Sequence, residues 1–339
     1  MIKIKREDLN RFFDTIAEKM PLYLPVKKAG EVNFGAYEEG AEVSLDTLKT
    51  VKSAKHFFFP QSETMMKFKK DGKNLEIIDV REEKTPFVLF GVRACDYASF
   101  AILDKVFLQE PVDTFYKSRR DAAVIFTLAC GRPEESCFCK VFNIDAADPQ
   151  GDVTCFLTAD ALHFRANTEK GAAVLSLYNK GEETDGKEVS EQQKKTREIV
   201  EKLPFANLDL SKFKEENLKE LFASSEWQSL SEACLGCGTC TFVCPTCQCF
   251  DIREFKTHQG VVRFRCWDSC MYSDFTQMAA ANPRTTQLQR FRQRFMHKLV
   301  YFPSQYGVYS CVGCGRCVNK CPQHLNIVKV IKKLGGNND

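Results

Sequence analysis

The sequence lacks the marks by which most functions are read. No apolar run approaches the about 18 residues a membrane-spanning helix needs. The net charge of +3 is too near neutral for general nucleic-acid binding. There is no GxGxxG after a strand, no GxxxxGK loop closed by Ser or Thr, and no GxSxG. The chain therefore carries no dinucleotide fingerprint, phosphate loop or nucleophile elbow of its own. The stretch MIKIKREDLNRFFD has no apolar centre of the kind a secretory signal needs, so a cytoplasmic location is expected.

What is abundant is cysteine. The chain holds 17, an odd number, so at least one stays unpaired whatever the bonding. Five lie before residue 156, none between 156 and 233, and twelve from 234 onward. A reducing compartment disfavours disulfides, and clustered cysteines there are more often metal ligands. Otherwise 44% hydrophobic and 27% charged residues over 339 positions fit a globular protein with room for two domains.

The expected fold is mixed α+β: an α/β domain over 1–178, charged linker and helices over 179–225, and an α-helical ferredoxin-like domain over 226–339. REDLNRFFDTIAEKM places Leu9, Phe12, Phe13 and Ile16 on one helical face. PFVLFGVRAC and DAAVIFTLAC resemble buried strands, each ending on a cysteine, Cys95 and Cys130. As parallel neighbours they would bring both thiols to one sheet edge, where α/β folds place ligands. In TTQLQRFRQRFMHKLVYF, Leu288, Phe291, Phe295 and Leu299 recur at helical spacing; the basic side, Arg290, Arg294 and Lys298, reads as a solvated face or a docking surface.

Two runs carry the chemistry. Cys234-x2-Cys237-x2-Cys240-x3-Cys244-Pro245 is repeated as Cys311-x2-Cys314-x2-Cys317-x3-Cys321-Pro322. In this bacterial ferredoxin spacing three cysteines bind one 4Fe-4S cubane and the fourth reaches across to the other. Cys234, Cys237, Cys240 and Cys321 are thus assigned to one cluster, and Cys311, Cys314, Cys317 and Cys244 to the second. Zinc sites use two pairs split by a longer loop instead. The glycines at 236, 238, 313 and 315 let backbone approach the sulfides. Cys130, Cys137 and Cys139, with Cys95, are the right number for a third cubane, zinc being the rival there. Cys155, in an apolar stretch, reads as a small buried side chain.

GVRACDYASFAILD, CGRPEESCFC, CLGCGTCTFVCPTCQCFD, WDSCMYSDF, HKLVYFP and CVGCGRCVNKCP occur in the order seen in one family. The chain resembles the 4Fe-4S dicluster family that contains sulfhydrogenase β subunits and the iron–sulfur subunits of anaerobic sulfite reductase, over about residues 56 to 330. The resemblance implies an iron–sulfur electron-transfer subunit of an oxidoreductase complex, with no substrate-converting site of its own. FAD and NAD(P) are then expected on a partner subunit, and the terminal subunit would be hydrogenase-, sulfite-reductase- or heterodisulfide-reductase-like. It also includes Cys247, Cys249 and Cys270, but not Cys266. These three are either a further metal site or lining for the clusters. Two alternatives stay open: a self-contained redox enzyme with an unusual cluster at Cys247, Cys249 and Cys270, and a zinc-stabilised interaction protein.

Overall fold

In the computed structural model, which describes residues 1–81, 84–258 and 260–335, the two apolar runs lie side by side in a large sheet. The strands in chain order are β1 (Ile2–Lys5), β2 (Leu22–Lys28), β3 (Glu31–Ala36), β4 (Ser62–Asp71), β5 (Asn74–Asp79), β6 (Phe87–Val92), β7 (Ala123–Leu128), β8 (Val153–Leu157), β9 (Ala161–Ala166), β10 (Glu182–Glu183), β11 (Phe250–Thr257) and β12 (Gly260–Trp267). Eight of them form one sheet in the order β10-β1-β9-β8-β7-β6-β2-β3. Its centre, β8-β7-β6-β2, is parallel, and its two flanks are antiparallel.

Every residue of β6 (FVLFGV) and β7 (AVIFTL) is buried, as strands covered on both faces require. Side chains alternate between the two covers. Val88, Phe90, Val124 and Phe126 pack with Phe12, Phe13 and Ile16 of the helix Leu9–Ala17. Phe87, Leu89 and Ile125 pack with Phe100, Leu103 and Phe107 of the helix Ala94–Phe107. Each such side chain contributes about 1.5–3 kcal/mol on burial, so these layers make the scaffold rigid under the loops that follow.

At the end of β6 the register shifts between Phe90 and Val92, and Gly91 takes φ +85° against the ring of Pro25. Only glycine tolerates this bulge comfortably. It turns the chain into Arg93, whose guanidinium donates to the carbonyls of Ala129 (2.8 Å) and Leu45 (2.7 Å). That clamp holds the ends of β6 and β7 together, with Cys95 and Cys130 just beyond them.

A second sheet, β11-β12-β4-β5, is antiparallel throughout and joins residues 62–79 to residues 250–267. Residues 226–339 are therefore not wholly α-helical. Within FDIREFKT and GVVRFRCW the runs FDIR and VRFRC alternate apolar and charged residues, a period-two pattern that favours a hairpin. At its base the buried Arg265 pairs with Glu63 and Asp113, and Glu63 also accepts from Arg119 at 2.8 Å.

The remaining helices wrap a separate core of Trp227, Phe291, Phe295, Leu299 and Ile331, with Leu288 packed at its rim. The helix Gln287–Met296 starts on a capping box, Thr286 with Gln289, and runs into a π-helical turn, His297–Tyr301. In the charged segment, the helix Lys187–Glu201 buries Val189, Thr196 and Val200, and the Thr196 hydroxyl donates to the Cys130 carbonyl at 2.8 Å. Among the described residues no helix is long and apolar enough to cross a membrane.

Candidate metal centres

The first cysteine run loops out of the helix Glu226–Ser231, turning at Gly236 (φ +65°) and Gly238 (φ +72°). Cys234, Cys237 and Cys240 line one cavity, and Cys321 from the second run lines it with them. Met271, Phe291, Phe295 and Leu325 complete its apolar wall. Two N–H groups point at its sulfurs: Gln287 Nε2 lies 3.4 Å from Cys234 Sγ, and Leu325 N lies 3.3 Å from Cys321 Sγ. Cys237 is the exposed member of the set.

The second run gathers a deeper set. Cys311, Cys314 and Cys317 face one another, and Cys244 from the first run is an electrostatic neighbour of all three. Burial raises the pKa of each of the three thiols. Cys244 Sγ lies 3.2 Å from the Thr246 hydroxyl, which donates to Ser310 O at 2.8 Å.

Cys95, Cys130, Cys137 and Cys139 also converge at the edge of the first sheet. Cys130 neighbours Cys95 and Cys137, and Cys139 neighbours Cys130 and Cys137. This set abuts the second, because Cys95 also faces Cys314. The loops are pressed together: a Cβ on Gly313 would lie 2.4 Å from Phe138 backbone, and one on Gly315 would lie 2.4 Å from Ser136 O. Phe138 N donates to Gly313 O at 2.9 Å. The absent side chains at 313 and 315 thus admit a neighbouring loop. Cys155 is buried in β8, in the hydrophobic core away from these sets.

Arg294, Lys298 and Lys55 are buried among the sulfurs. Arg294 Nη1 lies 3.3 Å from Cys247 Sγ while its Nη2 donates to Cys240 O at 2.6 Å. Lys298 Nζ donates to Thr246 Oγ1 (2.9 Å) and Ser310 O (2.8 Å). Lys55 Nζ donates to Cys247 O at 2.8 Å and sits 4.0 Å above the Trp267 ring. Burial opposes the charge on Arg294 and Lys298, but the surrounding cysteines outweigh it and raise both pKa values. For Lys55 burial wins, and its pKa is lowered.

The basic side of the helix Gln287–Met296 is therefore neither a solvated face nor a docking surface, since Arg294 and Lys298 are buried, Arg294 against sulfur and Lys298 against Thr246 and Ser310. Arg290 instead caps backbone carbonyls of Met271 and Arg284. Amphipathic periodicity cannot separate a cation turned to water from one turned to a buried anion. Lys55, in the aromatic stretch AKHFFF, gives still less signal.

Buried cations need an anionic partner. Among the described residues none of the three has a carboxylate partner; cysteines are their anionic neighbours. Thiolate-bound iron–sulfur clusters carry net negative charge, so the residues present fit them. Among the described residues no group of three or more His, Cys, Asp or Glu is arranged to hold a single metal ion. A cubane asks only for thiols spaced around a void, as the four around the first cavity are.

Crossed cysteine runs, an apolar cavity and buried cations define a ferredoxin-type iron–sulfur protein. A family model described as a 4Fe-4S dicluster domain matches residues 233–325. Across 98% of this chain and 98% of the relative, the sequence is 33% identical to sulfhydrogenase 2 subunit beta of Pyrococcus furiosus. The chain belongs to the 4Fe-4S dicluster family of sulfhydrogenase β subunits. No solved structure matches it.

Proposed function

We propose that this chain relays single electrons inside a multi-subunit cytoplasmic oxidoreductase, between a partner that binds FAD and NAD(P) and a terminal catalytic subunit. Cys234, Cys237, Cys240 and Cys321 hold one 4Fe-4S cluster in this reading. Cys311, Cys314, Cys317 and Cys244 hold the second, and Cys95, Cys130, Cys137 and Cys139 a third. The observation that carries it is the continuous file of the three cysteine sets. Cys240 is an electrostatic neighbour of Cys244, and Cys314 of Cys95, so each set lies beside the next. The relative's name, one subunit of a sulfhydrogenase, supports assembly with further subunits.

A bound cluster supplies reversible one-electron chemistry. The chain's own residues do the rest. Phe291, Phe295 and Met271 line the first site with apolar surface. Gln287 and Leu325 aim N–H groups at its sulfurs, and Arg294 and Lys298 favour added negative charge.

Iron and acid-labile sulfide analysis of anaerobically prepared protein tests the reading, with about twelve of each expected per chain. About eight would remove the third cluster, and zinc without sulfide would overturn the relay. The isolated chain is expected to oxidise no NAD(P)H until a flavoprotein is added. Lys298→Gln keeps a hydrogen-bond donor but loses the charge, so a cluster's reduced form loses stabilisation. Its midpoint potential should fall by on the order of 100 mV, for a unit charge several ångströms away in an effective dielectric near 20. Redox titration followed by electron paramagnetic resonance reads this shift, and an unchanged potential would deny Lys298 the role.

A further inference from the structure

The three sets leave five cysteines unused, of which Cys247, Cys249 and Cys270 lie beside one another. We propose that Cys249 and Cys270 form a redox-active dithiol, which closes to a disulfide by passing two electrons, one at a time, to the adjoining iron–sulfur clusters. This rests on the cluster assignment above.

The backbone brings the pair together. Phe250 opposes Trp267 at the base of the β11–β12 hairpin, and Asp268 N donates to Cys249 O at 3.0 Å. The chain then turns so that the Cys270 thiol comes to lie beside that of Cys249. Ser269 pins the turn: it is fully buried, and its hydroxyl accepts from Thr241 at 2.8 Å and from Met271 N at 3.2 Å. Thr241 sits between Cys240 and Cys244, so the pair is fastened to the loop that carries both cluster ligands.

Cys247 fills the gap. Its thiol contacts Cys244 on one side and faces Cys270 on the other. It is engaged by Cys244 and by Arg294 Nη1 at 3.3 Å, leaving Cys249 and Cys270 to meet each other. Cys266 does not join them, for its charged neighbours are Arg253, Asp251 and Asp268. Cys249 and Cys270 are each partly exposed, so protons can enter and leave. The neighbouring Cys270, working against burial, lowers the Cys249 pKa. A low-pKa thiol beside a second thiol is the usual form of a redox-active pair.

The step balances. Two thiols release two protons and two electrons as one S–S bond forms, and each electron reduces one 4Fe-4S cluster by one. Two electrons returned from the clusters, with two protons from solvent, reopen it. The pair would thus store electrons two at a time beside carriers that move them singly.

The test uses full-length, iron-loaded protein, poised oxidised with mediators or reduced with dithionite. Each sample is quenched with N-ethylmaleimide and peptide-mapped by mass spectrometry. A Cys249–Cys270 linkage is expected in the oxidised sample and two alkylated thiols in the reduced one, with Cys266 alkylated in both. Cys249→Ser and Cys270→Ser should each abolish the linkage while iron and sulfide stay at the wild-type level. Alkylation of both thiols at every potential would overturn the proposal. So would the loss of about four iron in either variant, which would make that cysteine a cluster ligand. A wild-type chain without iron and sulfide would overturn the relay reading and with it the electron acceptor. A loaded chain without the linkage overturns the dithiol alone.

Discussion

Asp96→Ala is expected to destabilise the folded protein by about 3–5 kcal/mol, the cost of leaving one partner of a buried ion pair alone. Asp96 is 1% exposed and Arg316 is 4% exposed. They meet in a fork, Nη1–Oδ1 at 2.6 Å and Nη2–Oδ2 at 2.7 Å, while Arg316 Nε donates to Thr50 O at 3.1 Å. Burial works against the guanidinium, and Asp96 with Cys314 more than offsets it, so the Arg316 pKa is raised. Without Asp96 a full positive charge stays buried and only partly answered. Arg316→Lys should also weaken the joint, because an ammonium cannot make both parallel bonds. The double variant Asp96→Ala with Arg316→Met should recover much of the loss, since no charge is then stranded. Anaerobic denaturant unfolding of the loaded protein measures all three. A loss under about 1 kcal/mol for Asp96→Ala would mean that solvent reaches the pair.

Cys321→Ser is expected to empty the site built by the other run. Cys321 lines the cavity of Cys234, Cys237 and Cys240, which Cys311, Cys314 and Cys317 do not line. About four iron should be lost per chain, together with one cluster's electron paramagnetic resonance signal. Combining variants tells crossed from uncrossed ligation, because mutations in one unit do not add. Cys321→Ser with Cys234→Ser should lose no more than the about four iron either loses alone. Cys321→Ser with Cys311→Ser should lose about eight. Uncrossed runs would reverse these two results.

Where the pattern is local, the sequence is a good guide. The apolar face of Leu9, Phe12, Phe13 and Ile16 is the buried face of the first helix, and the two apolar runs are adjacent parallel strands. The convergence of Cys95 with Cys130 follows from that adjacency plus the bulge at Gly91. What depends on distant partners is not legible. Arg294 and Lys298 carry the same periodicity whether they meet water or sulfur. Lys55 finds Cys247 across 192 positions of chain. Arg316 and Asp96 each sit beside a cysteine, and nothing local says that they bind one another. The small residues at 313 and 315 could be assigned to sulfide contact or to loop contact until Phe138 and Ser136 are seen against them. Strand character in 250–267 is present in the alternation, but arginine and lysine at the polar positions make it resemble a solvated loop.

The second sheet has a consequence for the order in which the protein is made. β12 lies between β4 and β11, with Phe264 opposite Thr64 and Arg265 opposite Glu63. While the ribosome is still short of β12, β4 is paired with β5 alone, and its other edge is open to any strand it meets. An isolated two-stranded hairpin is marginal in water, so the segment 62–79 is unfinished until the last third of the chain arrives. A nascent chain held for long before that point would expose Met66 and Phe68 on an unpaired edge. Iron delivery faces the same timetable: Cys234 and Cys240 emerge before β12, but Cys321 follows it. The first site is therefore complete only after the sheet has closed.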